Sequence, residues 1–246
     1  MLDVFDASGI SGGTDFSCVL RRTSEVACFG SNTLGQLGDG TLMERLTQTP
    51  VGGLSDAQEI AAGSAHACAR QSSGGVVCWG WNSNGQLGDG TTSDRLSPTA
   101  AVGVTDAFGV GAGSAHTCVL HSGGTVSCWG NNSAGQLGDG TRDNRVLPAA
   151  VVGLTDAVEL SVGRVHNCAR RATGAVVCWG ANTQGQLGDG TTADGLLPVA
   201  VDGLTDAVEV SAGGFHSCAR GSRADTGVLM CWGNNASGQL GDGSTV

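Results

Sequence analysis

The stretch CWGWNSNGQLGDGTTSD, residues 78–94, gathers one cysteine, two tryptophans, four glycines and two aspartates. In isolation it reads as a chemical site that brings thiol, indole and carboxylate together. It is not isolated. GQLGDG begins at residues 35, 85, 135, 185 and 238, so the spacing is 50 three times and then 53. Self-similarity at a period of about 20–50 residues marks solenoids and propellers. Cys78, Trp79 and Asp89 are therefore repeat positions before they are anything else.

Within a unit the pattern is β. AVELSV (157–162) alternates apolar and polar side chains, the mark of a half-buried strand. HNCAR (166–170) and AVVCW (175–179) flank a short glycine-containing turn and predict a hairpin. LPVAV (197–201) supplies a fourth strand, with Pro198 near its start, where a missing N–H is tolerated. No stretch longer than one turn carries helical spacing. The expectation is an all-β fold, a β-propeller of five four-stranded blades in a single domain, residues 1–246. The repeats are 1–52, 53–102, 103–152, 153–202 and 203–246. The last unit stops at GDGSTV, before a fifth LPVAV strand. Either Met1–Phe5 pairs in its place, or one blade is incomplete with an open edge, or the chain is a fragment of a larger propeller. An open edge is a template for pairing with another chain.

Composition narrows the function classes. The net charge is −10, the twelve basic residues are all arginines, and charged residues make up only 14% of the chain. Phosphate backbones are bound by clustered Lys and Arg, so nucleic acid and anionic membranes are poor partners. No apolar run reaches the roughly 20 residues of a membrane span. MLDVFDASGISGG (1–13) has neither a basic n-region nor an apolar h-region, so no signal peptide is read there.

The pattern HSCA…GxVxCWGxNxxGQLGDGT…P resembles the repeat of the regulator of chromosome condensation family, and five copies cover nearly the whole chain. The resemblance implies a β-propeller, most often of seven blades, where this chain has five units. It also implies protein binding, since family propellers bind a small GTPase, histones or a β-lactamase. The cysteine-bearing version, CAR…VCWG, is similar to repeats of secreted or surface-exposed bacterial proteins.

Each unit carries two cysteines: Cys18/Cys28, Cys68/Cys78, Cys118/Cys128, Cys168/Cys178 and Cys218/Cys231. Four pairs are ten residues apart and the last is thirteen apart, matching the three-residue excess of the last period, so SRADTG (222–227) lies in the hairpin turn. A hairpin centred near Ser73 brings Cys68 opposite Cys78, with Cα atoms about 4.5–5.5 Å apart, within reach of a disulfide. Five intrablade disulfides are predicted, each contributing about 2–3 kcal/mol in the chain-entropy model. Ten buried thiols, or a metal held by His-x-Cys and a following Cys, are the alternatives; the short C-x₂₋₄-C chelate spacing is missing. Disulfides imply an oxidising compartment, extracellular or periplasmic.

Other recurring residues admit two readings each. His66, His116, His166 and His216 share one position with Phe16. They are read as histidines satisfied by backbone at a blade turn, against a site on the propeller axis. Trp79, Trp129, Trp179 and Trp232 share one position with Phe29 and are read as wedges between blades. Asp39, Asp89, Asp139, Asp189 and Asp242 are turn residues of LGDG or single ligands of a calcium loop. No catalytic constellation, cofactor motif or metal set emerges, and no enzyme is expected. The residues that differ between units are the candidate binding surface, because variable loops on a constant scaffold are where binding resides. They are Trp81, Met43, Glu44, Arg142, Asp143, Arg145, Arg164 and Arg223. The expected function is a non-catalytic extracellular binding module for an unidentified protein partner. The alternative is a structural subunit of a fibre or assembly, self-associating through an open blade edge.

Overall fold

Hairpin formation organises every blade. A computed structural model describes residues 6–221 and 228–245 of the chain. The first blade is β1 (Ala7–Gly12), β2 (Phe16–Arg21), β3 (Val26–Gly30) and β4 (Arg45–Pro50). The second is β5 (Ala57–Ala62), β6 (His66–Gln71), β7 (Val76–Gly80) and β8 (Arg95–Ala100). The third is β9 (Ala107–Ala112), β10 (His116–His121), β11 (Val126–Gly130) and β12 (Arg145–Ala150). The fourth is β13 (Ala157–Val162), β14 (His166–Arg171), β15 (Val176–Gly180) and β16 (Gly195–Ala200). The fifth has three strands among the described residues: β17 (Ala207–Ala212), β18 (His216–Gly221) and β19 (Leu229–Gly233). No helix occurs among the described residues, so none is long and apolar enough to cross a membrane.

Strands pair antiparallel in chain order within each sheet. The central hairpin turns on a left-handed residue: Gly74, Gly124 and Gly174 have φ of 84, 82 and 86°. Ser24 takes the same conformation at φ 66°, the only non-glycine to do so among the described residues. The fourth strand is the outermost. Pro198 stands fourth in β16, deeper than its expected place near the strand's start; an edge strand has a solvent side that needs no N–H donor. The innermost strands β1, β5, β9, β13 and β17 pack each on the next, while no comparable packing joins β17 to β1. The blades therefore form an arc around an axis. The expected pairing of Met1–Phe5 with the last blade lies outside the described residues.

The core is divided into four clusters, one between each pair of successive blades. In the first, Cys18, Leu20, Val26, Cys28 and Leu37 of blade one meet Ile60, Ala67, Ala69 and Trp79 of blade two. Each sheet thus has two apolar faces of different composition. One carries the cysteines and the GQLG leucine; the other carries the tryptophan and the small residues of the second strand.

Candidate binding face

The cysteines pair as predicted. Cys18–Cys28, Cys68–Cys78, Cys118–Cys128, Cys168–Cys178 and Cys218–Cys231 are disulfides, with no free cysteine. Each bonded pair is also a register pair of the central hairpin, including Cys218 and Cys231 across the longer turn. Their Cα atoms are 4.0–4.1 Å apart, nearer than ordinary facing residues.

The tryptophans are wedges. Trp79, Trp129 and Trp179 are fully buried. Each indole N–H donates to a carbonyl of the preceding blade: Trp79 to Gln36, Trp129 to Gln86 and Trp179 to Gln136, at 2.9–3.1 Å. That hydrogen bond satisfies the polar edge of a ring that is otherwise packed against apolar groups.

For the histidines the backbone expectation is corrected. Each stands at the start of its blade's second strand, and in His66, His116 and His166 the Nε2 meets a side chain of the following blade. The pairs are His66 with Thr117 Oγ1 (2.9 Å), His116 with Asn167 Oδ1 (2.8 Å) and His166 with Ser217 Oγ (2.9 Å). Thr117, Asn167 and Ser217 donate in turn to the carbonyls of Gln86, Gln136 and Gln186. The sequence holds a signal for this pairing. The first unit has Phe16 in place of the histidine, and the partner position 51 residues on is Ala67, so both polar members are absent together. Burial holds the rings neutral: His66 is pushed down to about 3, His116 and His166 to about 4, with a neighbouring histidine adding to the shift at His66 and His166. No group of three or more metal-ligating side chains lies together among the described residues.

The GDG aspartates are occupied by the loop itself. Asp39 Oδ1 accepts from Thr41 N, Thr41 Oγ1 and Asn32 Nδ2, and its Oδ2 accepts from Arg45 at 2.8 Å. Burial raises this carboxyl's pKa, but those hydrogen bonds outweigh it and hold the group below the usual range. Asp89 with Arg95 and Asp139 with Arg145 repeat the arrangement. In the fourth unit Gly195 replaces the arginine. These bonds are the ones the turn reading calls for.

The candidate binding residues that are described lie at one end of the propeller. Gly30 pairs with both Phe16 and Arg45, so the β1–β2 turn and the long β3–β4 loop emerge together. The other blades repeat this register. Met43 and Glu44 are exposed in the first long loop, beside exposed Leu42. Trp81 is half-buried at the root of the second. Arg142 reaches from the third loop to Asp194 of the fourth at 3.0 Å, and Asp143 is exposed beside it. Arg145 belongs to the repeated ion pair with Asp139 described above. Arg164 stands at the axial mouth, where the turns between the first and second strands of all five blades line a depression of about 230 Å³. It is the only charged residue of that lining, and its guanidinium lies 5.4 Å from the Phe215 ring centroid. Arg223 lies outside the described residues. Phe215 was not singled out from sequence, because an aromatic side chain in a turn carries no periodic signal.

The geometry defines a class first: a disulfide-stapled β-propeller built from a 50-residue repeat. The regulator of chromosome condensation (RCC1) repeat model matches residues 73–120, 123–170 and 173–220, and a second form of the same repeat matches 8–36, 58–86, 109–136 and 157–186. The chain belongs to that family. No curated protein matches it. Among solved structures it is similar to Saccharomyces cerevisiae Prp20p, with a TM-score of 0.83 and 21% identity over 97% of this chain and 60% of that one. Human WBSCR16 gives 0.78 and 25% identity over 87% and 57%. The Physcomitrella patens receptor kinase CR4 ectodomain gives 0.62 and 24% over 93% and 52%. The chain thus spans a little over half the length of these proteins. Prp20p is described with binding properties to Gsp1p and histones.

Proposed function

We propose that this chain is a non-catalytic protein-binding module, a single propeller domain working outside the cytosol, whose loop face receives the partner. One observation carries the reading. The recurring Cys, Trp, His and Asp side chains are engaged in scaffold bonds, while Met43, Glu44, Trp81, Asp143 and Arg164 diverge between units and share one end of the molecule. Five disulfides suggest an oxidising compartment, extracellular or periplasmic. Family membership favours a protein as ligand, as does the binding described for Prp20p. The net charge of −10 points away from nucleic acid.

The test is affinity capture from the extracellular fraction of the source, comparing the chain with a Met43→Ala/Trp81→Ala/Arg164→Ala variant and with Arg21→Ala at the opposite end. A partner lost only with the loop-face variant supports the reading. A partner held equally by all three, or no partner at all, overturns it.

A second reading, a subunit of a larger assembly, is favoured by the fifth blade. With three described strands, β19 leaves its outer N–H and C=O groups without the neighbour that β3, β7, β11 and β15 have.

A further inference from the structure

At the end of the propeller opposite the loop face, the blades share a small contact. The last residue of the second strand turns toward an aspartate at the entry to the first. Gln71 donates to Asp56 at 3.1 Å in blade two, and Arg171 to Asp156 at 2.8 Å in blade four. Arg21 lies 3.7 Å from Asp6 in blade one. A glutamine amide gives a hydrogen bond and a guanidinium stays charged, so neither can serve as a base.

Blade three departs at two places. Its strand ends on His121, whose Nδ1 lies 2.6 Å from Asp106 Oδ1. Ser127 stands where the register of the other blades puts Ala27, Val77, Val177 and Met230. Its Oγ lies 3.0 Å from His121 Nε2. No other unit has an imidazole at the first position or a hydroxyl at the second. The two departures occur in one blade, and they touch.

The positions of the hydrogens follow from the partners. A carboxylate only accepts, so Asp106 fixes the ring proton on Nδ1 and leaves the Nε2 lone pair toward the Ser127 hydroxyl. Carboxylate, imidazole and hydroxyl, each within hydrogen-bond reach of the next, are the parts of an activated serine. Backbone bonds hold all three in place. His121 N donates to Thr125 O, Gly124 N to His121 O, and Ser122 N to Asp106 O at 3.0 Å. Ser127 lies within β11, in register with Val119 on one side and Ala150 on the other. The hydroxyl is half-buried, while Ala150 and Thr125 beside it are exposed, so a small reagent can reach it.

We infer that Ser127 is a nucleophile that takes up a short acyl group from an activated ester, with His121 as its base and Asp106 positioning the ring. Ser127 Oγ adds to the ester carbonyl carbon while His121 Nε2 takes the hydroxyl proton. The carbon–oxygen bond to the leaving alcohol then breaks, and that oxygen receives the proton from Nε2. The products are an acyl ester of Ser127 and one free alcohol, with no change of oxidation state. This goes beyond the binding role and does not rest on it: the site is at the far end from Trp81 and Arg164, and one acyl group per chain leaves the loop face as it was.

The chain is a clean target for such reagents, since it has neither lysine nor tyrosine. Release of the first equivalent of p-nitrophenol from p-nitrophenyl acetate gives the rate of acylation. A fluorophosphonate, whose serine adduct does not hydrolyse, marks the residue for peptide mapping. The expected result is one adduct per chain, on Ser127. Two variants copied from sibling blades keep the local packing and remove the chemistry. His121→Gln recreates the Gln71–Asp56 contact without a base and is expected to slow both reactions about a hundredfold. Ser127→Val, as at Val77 and Val177, is expected to abolish them. Both should unfold thermally as the parent does. Asp106→Asn is expected to slow acylation about tenfold, because an exposed carboxylate orients a ring less firmly than a buried one, and Asp106→Glu to restore part of the rate. No adduct, an adduct on another residue, or a Ser127 adduct that forms as fast in His121→Gln overturns the inference. Partner capture by the loop face is expected to be the same in Ser127→Val as in the parent, so the failure of either reading is told apart from the failure of the other.

Discussion

Where blade one meets blade two, Phe16 and Ala67 sit in one apolar cluster. One blade further on, His66 takes the first position and Thr117 the second, joined by a 2.9 Å hydrogen bond in an equally buried place. The backbone is the same and the chemistry is opposite. The difference teaches that this position requires a matched pair, either both polar or both apolar. A buried polar group costs little when paired and a great deal when alone.

Acid should separate the two kinds of interface most strongly. The buried rings have folded-state pKa values of about 3 to 4, below the unfolded value of 6.5. The unfolded chain therefore binds protons first as the pH falls. The stability tied to these histidines is complete above about pH 6.5 and is lost as the pH falls through about 4 to 3, on the order of a few kcal/mol for the set. The lowered Asp39, Asp89 and Asp139 carboxyls act with the same sign at lower pH. Hydrogen exchange followed through the acid range should show the strands around His66, His116 and His166 losing protection first. The Phe16–Ala67 contact, which has nothing to protonate, should persist; uniform loss across all blades would break the comparison.

Truncating the wedge comes next. Trp129→Ala empties a fully buried site and should cost about 3–5 kcal/mol in chemical denaturation. Phe29→Ala, at the same repeat position on the open face, should cost well under half as much. Equal losses would mean that blade one's face is not free.

Removing one staple has a smaller effect. Cys118→Ala/Cys128→Ala opens a loop closed across ten residues of separation and should lower stability by about 2–3 kcal/mol. Under graded reduction, non-reducing peptide mass spectrometry should find Cys218–Cys231 opened before the buried pairs. Ten free thiols in the untreated protein would contradict the pairing and the oxidising compartment together.

The smallest effect is the sharpest. Thr117→Ala strands the His66 ring and the Gln86 carbonyl loses one of its two donors, at a cost of about 1–3 kcal/mol. Adding His66→Phe rebuilds the blade-one chemistry at this interface and should recover most of that loss. A double variant no better than the single one would sink the matched-pair rule.

Much of this was legible beforehand, and the reason is distance along the chain. The hairpin, its left-handed turn and the Cys68–Cys78 register are settled within about ten residues. The repeat then copies them, so one unit's pattern is read five times. The proposed binding face was legible only in part. Divergence between units marked Met43, Trp81 and Arg164, but it also marked Arg145, whose equivalents Arg45 and Arg95 make the same scaffold ion pair. Phe215 gained meaning only beside Arg164, from the next blade.

By itself the sequence determined the β repeat, the blade and the disulfide pairing, because each depends on neighbours within one unit. Only the tertiary structure decided which side chain each histidine meets, which carbonyl each tryptophan bonds and which faces stay bare. Those partners lie 43 to 51 residues away in the adjoining blade, and they come together only when one sheet packs on the next.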